Sequence, residues 1–218
     1  MFRPIAAESE PIILVGNGQA APSEVHFARE FGQIVVAADG GAALALEAGI
    51  VPQAVIGDFD SLGDDVLARL PKDRLFRVRD QDSTDLQKCL ARIDAPAVLA
   101  VGFMGGRLDH QLAAFSAALA DPRPVILIGA EEISVLVRKE LSLALEPGSP
   151  VALYPLLAAR VRTRGLRWDV DGLMAPDGLI ATSNEMEASL LEVNVSGDGI
   201  LLMVPRASLG ALLGALGL

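Results

Sequence analysis

The chain has 218 residues, 18 basic and 28 acidic side chains, a net charge of −10 and 51% hydrophobic residues. That balance excludes DNA or RNA as a bulk partner, because phosphate backbones are held by Lys/Arg-rich surfaces, yet it admits a nucleotide whose few charges are met by one or two basic groups and a divalent cation. The lone Cys89 excludes an internal disulfide, His26 and His110 offer little to a zinc site, and no run reaches the roughly 18 apolar residues of a membrane span. Met1-Phe2-Arg3-Pro4 shows no signal-peptide hydrophobic region, so a cytoplasmic protein is expected.

Pro11 to Val15 reads as a first buried strand, ending in Gly16-Asn17-Gly18-Gln19. A short helix is expected from the cap candidate Ser23, with Glu24 in the first turn where the dipole favours an acid. Ile34 to Ala38 is a second strand and stops at Asp39-Gly40-Gly41; Ala42 to Ala48 is rich in helix formers. Pro52 leads into Ala54-Val55-Ile56, a third strand, and then Gly57-Asp58-Phe59-Asp60-Ser61. If the backbone stays extended through Phe59, Asp58 and Asp60 point the same way, since side chains alternate along a strand. Paired acids on one face suit a hard cation; the plainer reading is a polar turn, where Asp is favoured. Asp64 to Leu70 reads as another short helix, closed by Pro71.

Leu75 to Arg79 is a fourth strand, followed by Asp80-Gln81-Asp82-Ser83-Thr84-Asp85. A helix is expected from Thr84 or Asp85 to about Ile93, with Leu86, Cys89, Leu90 and Ile93 on one apolar face. Asp82 or Ser83 reads as its N-cap. Asp85 is either an ordinary acid of the first turn or a third carboxylate for the cation; Lys88 either faces phosphate or pairs with Asp85 at the surface. Ala97 to Val101 is a fifth strand, leading to Gly102-Phe103-Met104-Gly105-Gly106-Arg107-Leu108-Asp109-His110. The paired glycines let backbone approach a ligand, and Arg107 offers a donor fork matched to phosphate. Asp109 would orient that guanidinium or accept from a hydroxyl, and His110 caps or packs the start of an alanine-rich helix from Gln111 to Ala120. Val125 to Ile128 is a sixth strand.

Strand, loop and helix alternate through residue 130, the pattern of an α/β domain with a mostly parallel sheet. Ligands of such sheets bind beyond the carboxyl ends of the strands, where Asp39, Asp58, Asp60, Gln81, Asp82, Asp85, Arg107 and Asp109 all fall. Residues 1–130 are therefore expected to form one α/β domain with its ligand site at those strand ends. From about residue 131 short apolar segments take over: Leu141 to Leu145, Val151 to Tyr154, Leu166 to Val170, Leu190 to Val195 and Ile200 to Val204. Ser196-Gly197-Asp198-Gly199 is a hairpin signal. Residues 131–218 are expected to form an antiparallel β-sandwich domain, closed by a short helix in Leu209 to Leu218. Gly16-x-Gly18-x-x-Ala21 followed by Asp39 has the parts of a dinucleotide fingerprint, but Pro22-Ser23 places the helix start after the glycines, so no helix N-terminus is aimed at a pyrophosphate. No P-loop motif is present.

Asp39-Gly40-Gly41, Gly57-Asp58-Phe59-Asp60-Ser61, Asp80-Gln81-Asp82-Ser83-Thr84-Asp85 with Lys88-Cys89, and Gly106-Arg107-x-Asp109-His110 occur in the order and spacing of thiamine pyrophosphokinases. Gly165-Leu166-Arg167-Trp168 and Ala181-Thr182-Ser183-Asn184-Glu185 also resemble that family's thiamine-binding domain. The resemblance implies transfer of the β,γ-diphosphate of ATP to the thiamine hydroxyl, giving thiamine diphosphate and AMP, with Mg²⁺. It implies a homodimer with each active site at the subunit interface. By position, Asp39, Asp58, Asp60 and Asp85 would surround the metal, with Asp58, Asp60 and Asp85 catalytic. Gln81, Asp82, Thr84, Lys88, Arg107 and Asp109 would serve the nucleotide. Trp168, Thr182, Ser183 and Asn184 would lie near thiamine, although Trp168 also reads as a core residue of the sandwich. Many members have a basic residue in place of Gln81 and an Asn in place of Ala114. A nucleotide- or thiamine-binding module without catalysis is the alternative.

Overall fold

The computed structural model describes residues 4–80 and 82–218; Gln81, expected at the nucleotide, lies outside the described residues. The chain divides into two compact units, Met1–Ala130 and Glu131–Leu218.

In the first unit the elements are β1 (Ala6–Ala7), β2 (Ile12–Val15), α1 (Pro22–Ala28), β3 (Val35–Ala38), α2 (Gly41–Glu47), β4 (Ala54–Gly57), α3 (Asp64–Leu67), β5 (Leu75–Arg77), α4 (Asp85–Leu90), β6 (Ile93–Asp94), β7 (Val98–Val101), α5 (Leu108–Ala120) and β8 (Val125–Ile128). Six strands lie side by side, all parallel, in the order β8-β7-β2-β3-β4-β5. The five apolar runs β2, β3, β4, β7 and β8 are buried at every position, as strands covered by helices on both faces must be. Each Val, Leu or Ile so buried contributes about 1.5–3 kcal/mol. Strand order runs from β2 through β3 to β5 on one side and from β7 to β8 on the other. The carboxyl ends of β2 and β7 therefore flank the topological switch point, where the two following loops part and leave a crevice.

Local boundaries differ from expectation for identifiable reasons. Helix α1 takes Ala21 as N-cap and Pro22 as its first residue, the position where a missing N–H costs nothing, rather than Ser23 as cap. Helix α4 ends at Leu90, and Ile93 instead pairs with Ala6 in the two-residue β1–β6 ladder. Helix α5 begins at Leu108, so His110 sits in its first turn and is exposed.

The second unit contains β9 (Glu132–Val137), β10 (Glu140–Ala144), β11 (Pro150–Pro155), β12 (Ala159–Arg164), β13 (Asp171–Met174), β14 (Ala181–Glu185), β15 (Leu190–Ser196), β16 (Ile200–Pro205) and α6 (Leu209–Ala215). Its strands form two antiparallel groups, β14-β11-β16-β9 and β10-β15-β12-β13. In β10, β12 and β15 burial alternates, with Leu141, Leu143, Val161, Leu191 and Val193 inward. Two sequence expectations fail here. Leu166 to Val170 is not a strand: Asp169 accepts the Leu166 N–H and the Thr163 hydroxyl, folding the segment into a turn. Ser196-Gly197-Asp198-Gly199 is not a hairpin either, because β15 pairs with β10 and β12 while β16 pairs with β9 and β11. The glycines carry the chain from one sheet to the other.

Candidate active site

A cleft of about 370 Å³ opens at the switch point of the first unit, within the size range of small-molecule sites. Its floor is made by the loops after β2 and β7. The Gly18 N–H donates to the Gly102 carbonyl at 2.7 Å, and a Cβ on Gly18 would sit 2.5 Å from that oxygen. The glycines that mimic a dinucleotide fingerprint thus permit two backbones to touch. Asn17, Phe103 and Gly105 line the cleft beside them.

One wall is the Asp58–Ser61 loop. Strand β4 stops at Gly57, and Phe59 adopts a left-handed φ of 67°, so the extended path expected through Phe59 is not taken. Asp39, itself at φ 45° and only 1% exposed, imposes this turn. Its Oδ1 accepts the Phe59 N–H at 2.8 Å, while Oδ2 accepts the Ser61 N–H at 3.3 Å and the Ser61 hydroxyl at 2.5 Å. The Phe59 ring packs against the core containing Leu62 and Leu70 and lies under the Arg77 guanidinium. Asp58 and Asp60 are thereby gathered by a kink, and the Asp60 N–H donates to Asp58 Oδ1. Asp39, Asp58 and Asp60 each present an oxygen within 4.8 Å of the others. Carboxylates at that separation repel by on the order of 1 kcal/mol per pair even at the dielectric of water. A hard divalent cation, which takes oxygen ligands, fits this donor set.

The opposite wall is the start of α4. Thr84, rather than Asp82 or Ser83, is the N-cap: its side chain accepts from the Gln87 N–H, and Gln87 reaches back to the Thr84 N–H. This cap sets Asp85 in the first turn and Lys88 one turn on. Lys88 is 5% exposed, with Nζ 3.2 Å from Asp58 Oδ2 and 3.1 Å from Asp85 Oδ1; the surface pair read from spacing is a buried bridge between two elements. The hydrogen bond from Lys88, then that from the Asp60 N–H, holds the Asp58 carboxyl below its ordinary range. Burial alone would push the Lys88 ammonium down, but hydrogen bonds to Asp85 and Asp58 outweigh it and the net direction is up.

Asp58, Asp60, Ser61, Ser83, Thr84, Asp85, Lys88 and His110 face the cleft. Asp39 is buried and does not line it. Asp82 is exposed and donates its N–H to Asp80. Arg107 and Asp109 sit exposed at the start of α5, joined by two hydrogen bonds of 3.1 and 2.5 Å, and do not line the cleft. Sequence reasoning passed over Asn17, Ser61 and Phe103 as individual residues and took Ser83 only as a cap; their signal was position at the carboxyl ends of strands and within acid-bearing loops.

In the second unit the structure joins Asn184 to Trp168. Asn184, 6% exposed, clasps the Trp168 backbone: Nδ2 donates to its carbonyl at 2.8 Å and Oδ1 accepts its N–H at 3.3 Å. The Trp168 side chain is 56% exposed and not part of the core. The Arg167 guanidinium lies 4.8 Å from its ring centre and pairs with Glu185 at 2.6 Å. Thr182 and Ser183, which precede Asn184 in β14, are exposed, Ser183 with φ 58°.

Residues 29–126 match the family described as thiamin pyrophosphokinase, catalytic domain. Thiamine pyrophosphokinase 1 of Arabidopsis thaliana is 28% identical, over 85% of this chain and 83% of its own length. Thiamine pyrophosphokinase 1 of Oryza sativa subsp. japonica is 27% identical, over 67% of this chain and 64% of its own length. The fold is that of the thiamin pyrophosphokinase from Candida albicans, with a TM-score of 0.77 at 16% identity, covering 94% of this chain and 95% of that one. The protein from Geobacillus thermodenitrificans gives 0.74 at 24% identity, covering 92% and 99%. With its acid-bearing strand ends, the chain thus resembles the thiamin pyrophosphokinases in its catalytic region, in sequence along most of its length and in fold.

Proposed function

We propose that this protein transfers the β,γ-diphosphate of ATP to the hydroxyl of thiamine, releasing AMP and thiamine diphosphate. The observation that carries the reading is the convergence of Asp58, Asp60, Asp85 and Lys88, from two separate elements, on one cleft at the switch point. Diphosphate transfer to an alcohol needs positioning and charge neutralisation more than covalent help. Asp39, Asp58 and Asp60 would hold Mg²⁺, with Asp85 facing the same cleft; when bound, the ion neutralises phosphate charge. Asp58 or Asp60 accepts the proton of the thiamine hydroxyl. Both acids would bear the ion, but Asp58 is also paired with Lys88; this second positive neighbour makes it the weaker base and favours Asp60 for that step.

Thr84 and Lys88 serve the nucleotide from the cleft wall, and Asp82, Arg107 and Asp109, outside the cleft lining, reach it when it binds. Residues 1–130 form the catalytic domain and residues 131–218 the thiamine-binding domain, a β-sandwich in which Trp168, Thr182, Ser183 and Asn184 receive the substrate. An aromatic face suits cationic thiamine. The protein acts as a cytoplasmic homodimer. Incubation with thiamine, ATP and Mg²⁺ tests the reaction: AMP and thiamine diphosphate are expected in equal amounts, and ADP as the sole nucleotide product overturns it.

A further inference from the structure

The ammonium of Lys88 fills the gap between two carboxylates that belong to different elements, Asp58 after β4 and Asp85 in the first turn of α4. Asp58 consequently faces two ways. On one side it meets Nζ; on the other it belongs to the close group with Asp39 and Asp60, in which Asp85 has no part among the described residues. A carboxylate shared between two positive centres is the arrangement of two-metal phosphate sites, whose ions lie about 3.5–4 Å apart. Lysine suits the second position: it is a compact point charge with three donors, whereas a guanidinium is a broad planar fork. Its side chain is held there by Asp85 one helical turn back.

We infer that Lys88 is a built-in cation standing where a second divalent ion would bind, so that the site takes one ion, at Asp39, Asp58 and Asp60, and Asp85 serves Lys88 instead of the metal. The inference rests on the reading of the three acids as a metal site. Besides facing the nucleotide, Lys88 thus positions Asp58 and Asp85, joining the two walls of the cleft.

Titration of the nucleotide-free protein with Mn²⁺, with free ion followed by electron paramagnetic resonance, counts ions per chain without recourse to activity. Wild type and Lys88→Arg are expected to bind one, Lys88→Met two, and Lys88→Met with Asp85→Asn one again. Two ions in the wild type, or one ion of unchanged affinity in folded Lys88→Met, overturns the inference. If Lys88→Met does not fold, Asp85→Asn decides: a Kd for Mn²⁺ within about threefold of wild type supports the inference, and a loss of about tenfold or more, the range for direct or closely supporting ligands, overturns it. A wild type that binds no Mn²⁺ overturns the metal reading along with the inference, so the two failures are distinguishable.

Discussion

Ser61 donates its hydroxyl to the buried carboxylate of Asp39 at 2.5 Å, 22 residues away in the chain. With the Phe59 and Ser61 amides it forms a clamp that bends the loop bearing Asp58 and Asp60. Ser61→Ala removes one donor and leaves the two amides, so a loss of about 1.5–3 kcal/mol is expected, the range for a hydrogen bond to a charged group. Gly57→Ala should cost more, since its Cβ would lie 2.7 Å from the Asp39 Cβ and 3.0 Å from the Asp39 Cα. Urea midpoints of both variants check the order. A Gly57→Ala protein as stable as wild type would mean that the clamp yields easily.

Asp60→Asn separates proton acceptance from charge arrangement. If Asp60 takes the thiamine proton, kcat falls by about 10²–10⁴-fold, the usual worth of a general base, with little change in thiamine KM. Asp58→Asn also lowers kcat, but it breaks the Lys88 bridge and should weaken Mn²⁺ binding as well. Steady-state kinetics beside metal titration distinguishes the two. Turnover of wild-type speed in Asp60→Asn would return the role to Asp58.

The bridge between Lys88 and Asp58 also sets a pH dependence. Asp58 is depressed below its ordinary 3.8; its contribution to stability is complete above that value and is lost as pH falls through the lower, folded-state pKa. Lys88 is raised above 10.5, so its contribution is complete below 10.5 and is lost only as pH rises through the higher folded-state value. The stability difference between wild type and Lys88→Met should therefore be flat across the neutral range and shrink in acid, below the ordinary value of 3.8. Denaturation at a series of pH values measures it. A difference that stays flat well below that point would show that the pair is not formed in solution.

How far the chain is legible depends on how local the physics is. The parallel strands could be read because each is an unbroken apolar run buried on both faces, as Val98–Val101 and Val125–Ile128 show. Strand β12 could not, because Arg160, Arg162 and Arg164 alternate with Ala159, Val161 and Thr163 and hide the buried half of the pattern. The acids at strand ends were visible by position. The turn that gathers them was not: nothing beside Phe59 announces a left-handed residue, and the cause is a carboxylate just past the end of a neighbouring strand. Likewise the burial of Lys88 follows from Asp58, thirty positions away, not from its own helix.

In the second unit, Asn184 is buried against the backbone of the exposed Trp168. Asn184 makes both hydrogen bonds to the Trp168 backbone and accepts the Glu185 N–H as well. Its replacement by Ala leaves those groups without their partner and should cost about 1–3 kcal/mol. Trp168 is exposed and contributes mainly a face stacked with Arg167, so Trp168→Ala should change stability by only about 0.5–1 kcal/mol. If the ring receives thiamine, Trp168→Ala raises the KM for thiamine about tenfold, equivalent to about 1.4 kcal/mol, and leaves the KM for ATP unchanged. Asn184→Ala should raise the thiamine KM as well, because it releases the backbone that aims the ring. Measurement of both KM values in each variant tests this. An unchanged thiamine KM in Trp168→Ala would make the tryptophan a surface residue stacked on Arg167, and would leave Thr182 and Ser183 as the groups to test for thiamine contact.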